Sequence, residues 1–126
     1  LIVRGICCLI PEQEYSRNIH VTRIVDTFLE HARIWYFGNG GNPKLFLGSP
    51  DRMRRNLYRR IEAVTPILDP DAKQELIDML SIQLSDKRKA CFVDENLHNC
   101  WKSAHPLKEK VRSQYTFYEY LKERIE

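Results

Sequence analysis

Residues 34–47 read IWYFGNGGNPKLFL. Ile34, Trp35, Tyr36 and Phe37 are aromatic or β-branched, which favours an extended strand. They stop at Gly38-Asn39-Gly40-Gly41-Asn42-Pro43. That composition reads as a turn, because glycine reaches positive φ without a Cβ clash. Lys44 to Leu47 returns as a second strand, so the segment is a β-hairpin. Trp35, Tyr36 and Phe37 are read as core and hairpin packing. Gly48-Ser49-Pro50-Asp51 makes a second turn, and residues 56–64 read as a further strand ended by Thr65-Pro66. Upstream, Ile24, Val25, Phe28 and Leu29 recur at helical spacing and predict a short helix over 22–30. Residues 11–18 are a polar loop, and the opening LIVRGICCL (residues 1–9) reads as a buried strand. Downstream, residues 69–85 carry the clearest helical signal. Asp69 is a candidate N-cap, Pro70 suits the first turn, and Leu76, Ile77, Leu80 and Leu84 form an apolar stripe. Two short strands are placed in 90–107 and a second long helix in 111–125. Strands, a hairpin and two covering helices make a mixed α/β (α+β) domain, a mixed sheet flanked by helices.

Composition bounds the function. The 126 residues are 43% hydrophobic and 29% charged, which excludes a disordered tail, a collagen-like chain and a mucin-like stalk. No apolar run approaches the roughly 20 residues of a membrane span. The chain opens without Met, inside an apparent strand, and residues 1–10 lack the charged start and small-residue cleavage site of a signal peptide. A fragment of a longer protein is therefore expected. The four cysteines show no C-x-x-C spacing, so reduced thiols are expected rather than structural zinc or a disulfide framework. Net charge is +3, from 20 basic and 17 acidic residues, but its distribution is uneven. Five arginines and no acid lie between Arg52 and Arg60, an anion-seeking stretch.

Four histidines are scattered along the chain; His20, His98 and His105 read as surface residues. His31 stands apart, with Arg33 two positions on and Gly48-Ser49 at the next strand turn. By position it is either a packing residue at a helix-to-strand junction or a functional one. Imidazole can attack or move a proton near neutral pH, and a nearby cation neutralises phosphate oxygens. Arg4 interrupts an apolar run, which is costly unless the side chain is paired, lines a cavity or reaches solvent. If 56–64 is a strand, Asn56, Tyr58, Arg60 and Glu62 share one face, and Glu62 could orient Arg60 or His31.

His31-x-Arg33 followed by Gly48-Ser49 resembles one half of the phospholipase D pattern, with Arg where Lys is usual. A longer match runs through LIVRGICCL, IVDTFLEHARIWYFGNGG, GSPDRMRRNLYRRIE, SDKRKA and VRSQYTFYEYLKERIE. Together these resemble the C-terminal end of bacterial polyphosphate kinase. The resemblance implies that residues 1–126 are a C-terminal phospholipase D-like domain, truncated on its N-terminal side and one half of a duplicated catalytic region. It implies reversible transfer of the ATP γ-phosphate to inorganic polyphosphate, through a phosphohistidine upstream of this segment. His31 matches the second histidine of the shared site, an acid/base or phosphate stabiliser, and Glu62 the acid that ends the R-x-E stretch at the tunnel site. Arg4 and Arg60 match phosphate contacts, and Arg33 adds charge stabilisation. ATP/ADP and Mg2+ are implied cofactors, the metal contacts lying upstream, so no metal ligand is assigned here.

Implied partners are polyphosphate, ATP and the remaining domains of the same polypeptide. A homo-oligomeric full enzyme is implied, with no specific nucleic acid, no transmembrane segment, and a cytoplasmic place that allows peripheral attachment at the inner membrane. The isolated segment is expected to be inactive. Two departures stand out. The family usually has S-A-D-W-M where this chain has Ser49-Pro50-Asp51-Arg52-Met53, and an Asp where Tyr58 stands. The rival readings are a stand-alone phospholipase D-type phosphodiesterase and a non-enzymatic phosphate or nucleic-acid binding module using Arg52 to Arg60.

Overall fold

The computed structural model describes residues 1–51 and 53–125. It divides the chain into two compact units. Residues 1–29 and 78–126 form the first, and Glu30–Ile77 the second.

The second unit is built on the hairpin. Strand β3 (Ile34–Phe37) pairs antiparallel with β4 (Lys44–Gly48), and β4 with β5 (Val64–Pro66). The turn between β3 and β4 carries positive φ at Asn39, Gly40 and Gly41. Leu45 on the central strand is 1% exposed and anchors this sheet. Gly48 is required by close approach: a Cβ there would lie 2.7 Å from Cζ3 of Trp35. Phe37 packs edge-on against Phe46 across the strands, as expected of hairpin packing.

The expected strand at 56–64 is instead a short helix, α1 (Arg54–Arg59), and the paired strand is confined to Val64–Pro66. Arginine and leucine are good helix formers. Strand alternation does not hold in this segment: Arg54, Arg55, Arg59 and Arg60 are all exposed, and of the described residues 54–60 only Asn56 turns inward. The shared face of Asn56, Tyr58, Arg60 and Glu62 does not exist. Helix α2 (Pro70–Ser85) forms as expected, with Asp69 Oδ1 accepting the Ala72 N–H at 2.8 Å as its cap.

The first unit holds a four-stranded sheet in the order β1 (Ile2–Val3), β2 (Thr22–Ile24), β6 (Ala90–Val93), β7 (Asn99–Trp101). The β1–β2 pair is parallel and the others are antiparallel. Its core is Val21, Ile24, Ala90, Cys91 and Val93. The helix expected at 22–30 is absent. Thr22 and Ile24 are buried β-branched residues that pair with Phe92 and Ala90, and the buried Val21 accepts the Val93 N–H at 3.0 Å, whereas Val25, Phe28 and Leu29 are exposed. The opening strand is likewise shorter than expected, at two residues. Helix α3 (Ser113–Ile125) fulfils the expectation for 111–125. The mixed α/β class therefore holds, with the strands shared between two sheets. No helix among the described residues is long and apolar enough to cross a membrane.

Candidate functional site

The turn that follows β4 collects the polar groups of the second unit. Gly48 N–H donates to Arg33 O at 3.1 Å, which holds the end of β4 against the start of β3. Arg33, just ahead of β3, is thereby placed beside Asp51. Its Nε and Nη2 both donate to Asp51 Oδ1, at 2.9 and 2.8 Å. The same guanidinium faces His31. Nη1 lies 3.2 Å from the ring Nδ1 and Nη2 3.1 Å from Nε2, and Nη1 also donates to the His31 carbonyl at 3.0 Å. A guanidinium only donates, and a neutral imidazole has one acceptor nitrogen, so one ring contact at a time is a hydrogen bond. His31 is exposed and Arg33 partly buried, so the ring stands open with a fixed cation against it.

A second cluster uses the same turn. The Ser49 hydroxyl donates to Glu62 Oε2 and accepts the Ala63 N–H at 3.1 Å. Asn56, 3% exposed, donates from Nδ2 to Glu62 Oε1 at 2.9 Å. Glu62 is thus held by a serine and an asparagine. Among the described residues it makes no ion pair with His31 or Arg60, contrary to the sequence expectation. Asn56 Oδ1 is buried with no hydrogen-bond partner among the described residues. Arg60 follows the last turn of α1 with extended backbone (φ −125°, ψ 152°) and is exposed. It makes no ion pair among the described residues. Tyr58 is 79% exposed. Arg52, the other departure from the family pattern, lies outside the described residues.

Arg4 belongs to the first unit. It is half-buried, and its Nη1 donates to Phe28 O, a carbonyl that also accepts Gln114 Nε2 at 2.8 Å. A neutral carbonyl satisfies the geometry and leaves the charge uncompensated. The tail tyrosines are packing or surface residues. Tyr115 lies near Phe28, Tyr118 is exposed, and the Tyr120 hydroxyl donates to Asp78 at 2.6 Å. His20, His98 and His105 are exposed, as expected.

His31, Arg33 and the Gly48-Ser49 turn were legible in the sequence, whereas Asp51 and Asn56 were given no role there. The available signal was the position of Asp51 two residues after Gly48-Ser49, where a carboxylate can meet a cation from the neighbouring strand.

The family model for polyphosphate kinase C-terminal domain 2 matches residues 1–114. The polyphosphate kinases of Klebsiella pneumoniae and Escherichia coli K12 are each 46% identical over 123 residues, which is 97% of this chain and 18% of theirs. That of Vibrio vulnificus YJ016 is 43% identical over 97% of this chain and 17% of its own. The crystal structure of polyphosphate kinase from Porphyromonas gingivalis superposes with a TM-score of 0.91 at 53% identity, covering 98% of this chain and 19% of that one. The chain thus spans about a fifth of the length of these relatives. With the family model matched over 1–114 and the fold shared with a solved member, the chain belongs to the polyphosphate kinase family, to its C-terminal domain 2.

Proposed function

We propose that residues 1–126 act as the C-terminal phospholipase D-like domain of a polyphosphate kinase and supply half of its phosphoryl-transfer site. The observation that carries the reading is the Arg33 guanidinium, fixed by Asp51 and set against both ring nitrogens of His31. Phosphoryl transfer asks chiefly for positioning and positive charge. A fixed arginine fork offers both to phosphate oxygens. His31 moves a proton to or from a phosphate oxygen or stabilises it, while Arg33, Arg60 and Arg4 neutralise the chain. Glu62 orients its neighbours through Ser49 and Asn56. In the full reaction, a bond forms between an upstream histidine nitrogen and the γ-phosphorus as the bond to the ADP oxygen breaks. That nitrogen–phosphorus bond then breaks as an oxygen of the polyphosphate end attacks.

Mg2+ belongs to this reading through the family. The described residues gather no group of three or more His, Cys, Asp or Glu able to hold it, so no step here runs through the ion. The remaining domains of the polypeptide, a homo-oligomeric full enzyme and a cytoplasmic place, with peripheral attachment at the inner membrane, complete the proposal. The isolated chain has no kinase turnover of its own.

The test is calorimetric binding of inorganic polyphosphate at fixed salt, with a DNA oligomer as competitor. Arg4→Ala, Arg33→Ala, Arg60→Ala and His31→Ala are each expected to weaken binding by about three- to tenfold. Affinity untouched by all four refutes the site. Equal competition by DNA favours a general phosphate-binding module instead.

A further inference from the structure

The first unit contains a basic cavity that no functional residue named so far occupies. It measures about 320 Å³ and is lined by Arg88, Lys89, Trp101, Pro106, Leu107 and Arg112. Three of the six are cations and none is an acid. The volume lies at the small end for ligand pockets.

Its walls are held by two buried carboxylates. Asp86 is 0% exposed, and its Oδ1 accepts the backbone N–H groups of Arg88 and Lys89 at 2.8 and 2.7 Å. Its Oδ2 accepts the Ser113 N–H at 2.8 Å, tying the 86–89 turn to the start of α3. This one side chain therefore fixes the backbone beneath Arg88, Lys89 and Arg112 together. Asp26, with a side chain 1% exposed, grips Arg112 through Nε and Nη2 at 2.8 and 2.6 Å. The Nη1 of Arg112 makes no hydrogen bond among the described residues.

Charge accounting gives the sign of the ligand. Asp26 offsets Arg112. Asp86 gives its lone pairs to backbone N–H groups; its other near cation is Lys102, whose ammonium burial holds below its ordinary value although Asp86 opposes the shift. Arg88 and Lys89 make no ion pair among the described residues. Two unbalanced cations on an ordered turn beside a third fixed guanidinium suit a multiply charged anion with closely spaced oxygens. The rim adds an apolar surface: Trp101 is 57% exposed and Leu107 86%. An indole face that open accepts a flat ring by stacking.

We propose that this cavity is an anion site for a chain of phosphate groups, seated on Arg88, Lys89 and Arg112 beside Trp101. The chain is either a short inorganic polyphosphate or the phosphates of a nucleotide whose base lies on the indole. The inference does not depend on any role for His31.

The chain has two tryptophans, so its indole N–H groups give two NMR cross-peaks, and Trp101→Phe assigns them. Tripolyphosphate, ATP and adenosine are titrated separately, on the wild type and on a His31→Ala background. Saturable movement of the Trp101 peak with tripolyphosphate, kept in His31→Ala and weakened about tenfold in Arg88→Ala/Lys89→Ala, is the expected result. Tighter binding and a larger Trp101 shift with ATP identify the nucleotide as the source. Equal binding of ATP and tripolyphosphate identifies the phosphate chain. An unmoved Trp101 peak at millimolar ligand overturns the site. So does a shift that survives in the double variant, or one that adenosine alone reproduces. An unchanged Trp35 peak in the double variant, together with the wild-type thermal transition, shows that its fold is intact.

Discussion

Replacing Asp26 with Asn tests whether the first unit is held by an ion pair or by its apolar sheet alone. Arg112 makes two bonds to the Asp26 carboxylate, at 2.8 and 2.6 Å, and the Thr27 amide donates a third at 2.8 Å. The aspartate side chain is 1% exposed and the arginine side chain 25%. Removing one member of a fully buried pair costs about 3–5 kcal/mol, and an exposed pair contributes about 0–1 kcal/mol. With one member buried and the other a quarter open, Asp26→Asn should cost about 2–3 kcal/mol. At about 3–4 °C per kcal/mol for a chain of this size, that is a drop of roughly 6–12 °C in Tm.

The pH dependence has a definite sign. The Arg112 bonds, helped by the Thr27 amide, hold the Asp26 carboxyl below the ordinary carboxylate range despite its burial. A depressed folded value means the stabilisation is full above the unfolded value, about pH 4, and is lost as pH falls through the folded one. Urea unfolding of wild type, Asp26→Asn, Arg112→Met and the double variant at pH 7 and at steps down to pH 2 measures the coupling. A coupling under about 0.5 kcal/mol at pH 7 would refute the argument. So would a gap between wild type and Asp26→Asn that stays constant down to pH 2.

Two further expectations follow from local packing. Gly48→Ala places a methyl group 2.7 Å from the Trp35 ring and 2.9 Å from Val64 Cγ2. Overpacking of this kind costs about 1–3 kcal/mol, so the variant should unfold at lower urea with a changed Trp35 fluorescence maximum, and an unchanged midpoint would contradict the contact. Cys91 is 8% exposed, and burial, with Cys100 nearby, pushes its thiol above the ordinary value. Under native conditions near neutral pH, iodoacetamide should label the exposed Cys8 and Cys100 before Cys91, with the order read by mass spectrometry. Early labelling of Cys91 would show that β6 is not packed as described.

Local signals recovered the elements whose causes are local. The 34–47 hairpin is written in its turn residues, and α2 in its cap and apolar stripe. The strand β2 is not, because its partners Ala90, Cys91 and Phe92 lie far along the chain. Ile24, Val25, Phe28 and Leu29 fit a helical period, yet only Ile24 of the four is buried. The 54–62 segment failed for another reason: charged residues have no obligatory face, so alternation among arginines carries little information. At the site, the His31–Arg33 proximity was legible from a spacing of two. The Glu62–Ser49–Asn56 cluster was not, because it needs α1 where a strand was expected. The basic cavity was invisible in sequence, since Asp86 joins two segments through backbone amides that no side-chain pattern records.

The long reach of β2 also bears on how the chain assembles during synthesis. The β3–β4–β5 sheet is complete once residue 66 has emerged, from pairings that span short loops. Strand β2 must wait until Ala90–Val93 is available, a closure over a far longer stretch. In that interval Val21 and Ile24 lack the strand that covers them and present sticky surface, the kind that chaperones hold and that aggregates recruit. A translational pause after β2 and before β6 prolongs that exposure, whereas the same pause after residue 93 does not.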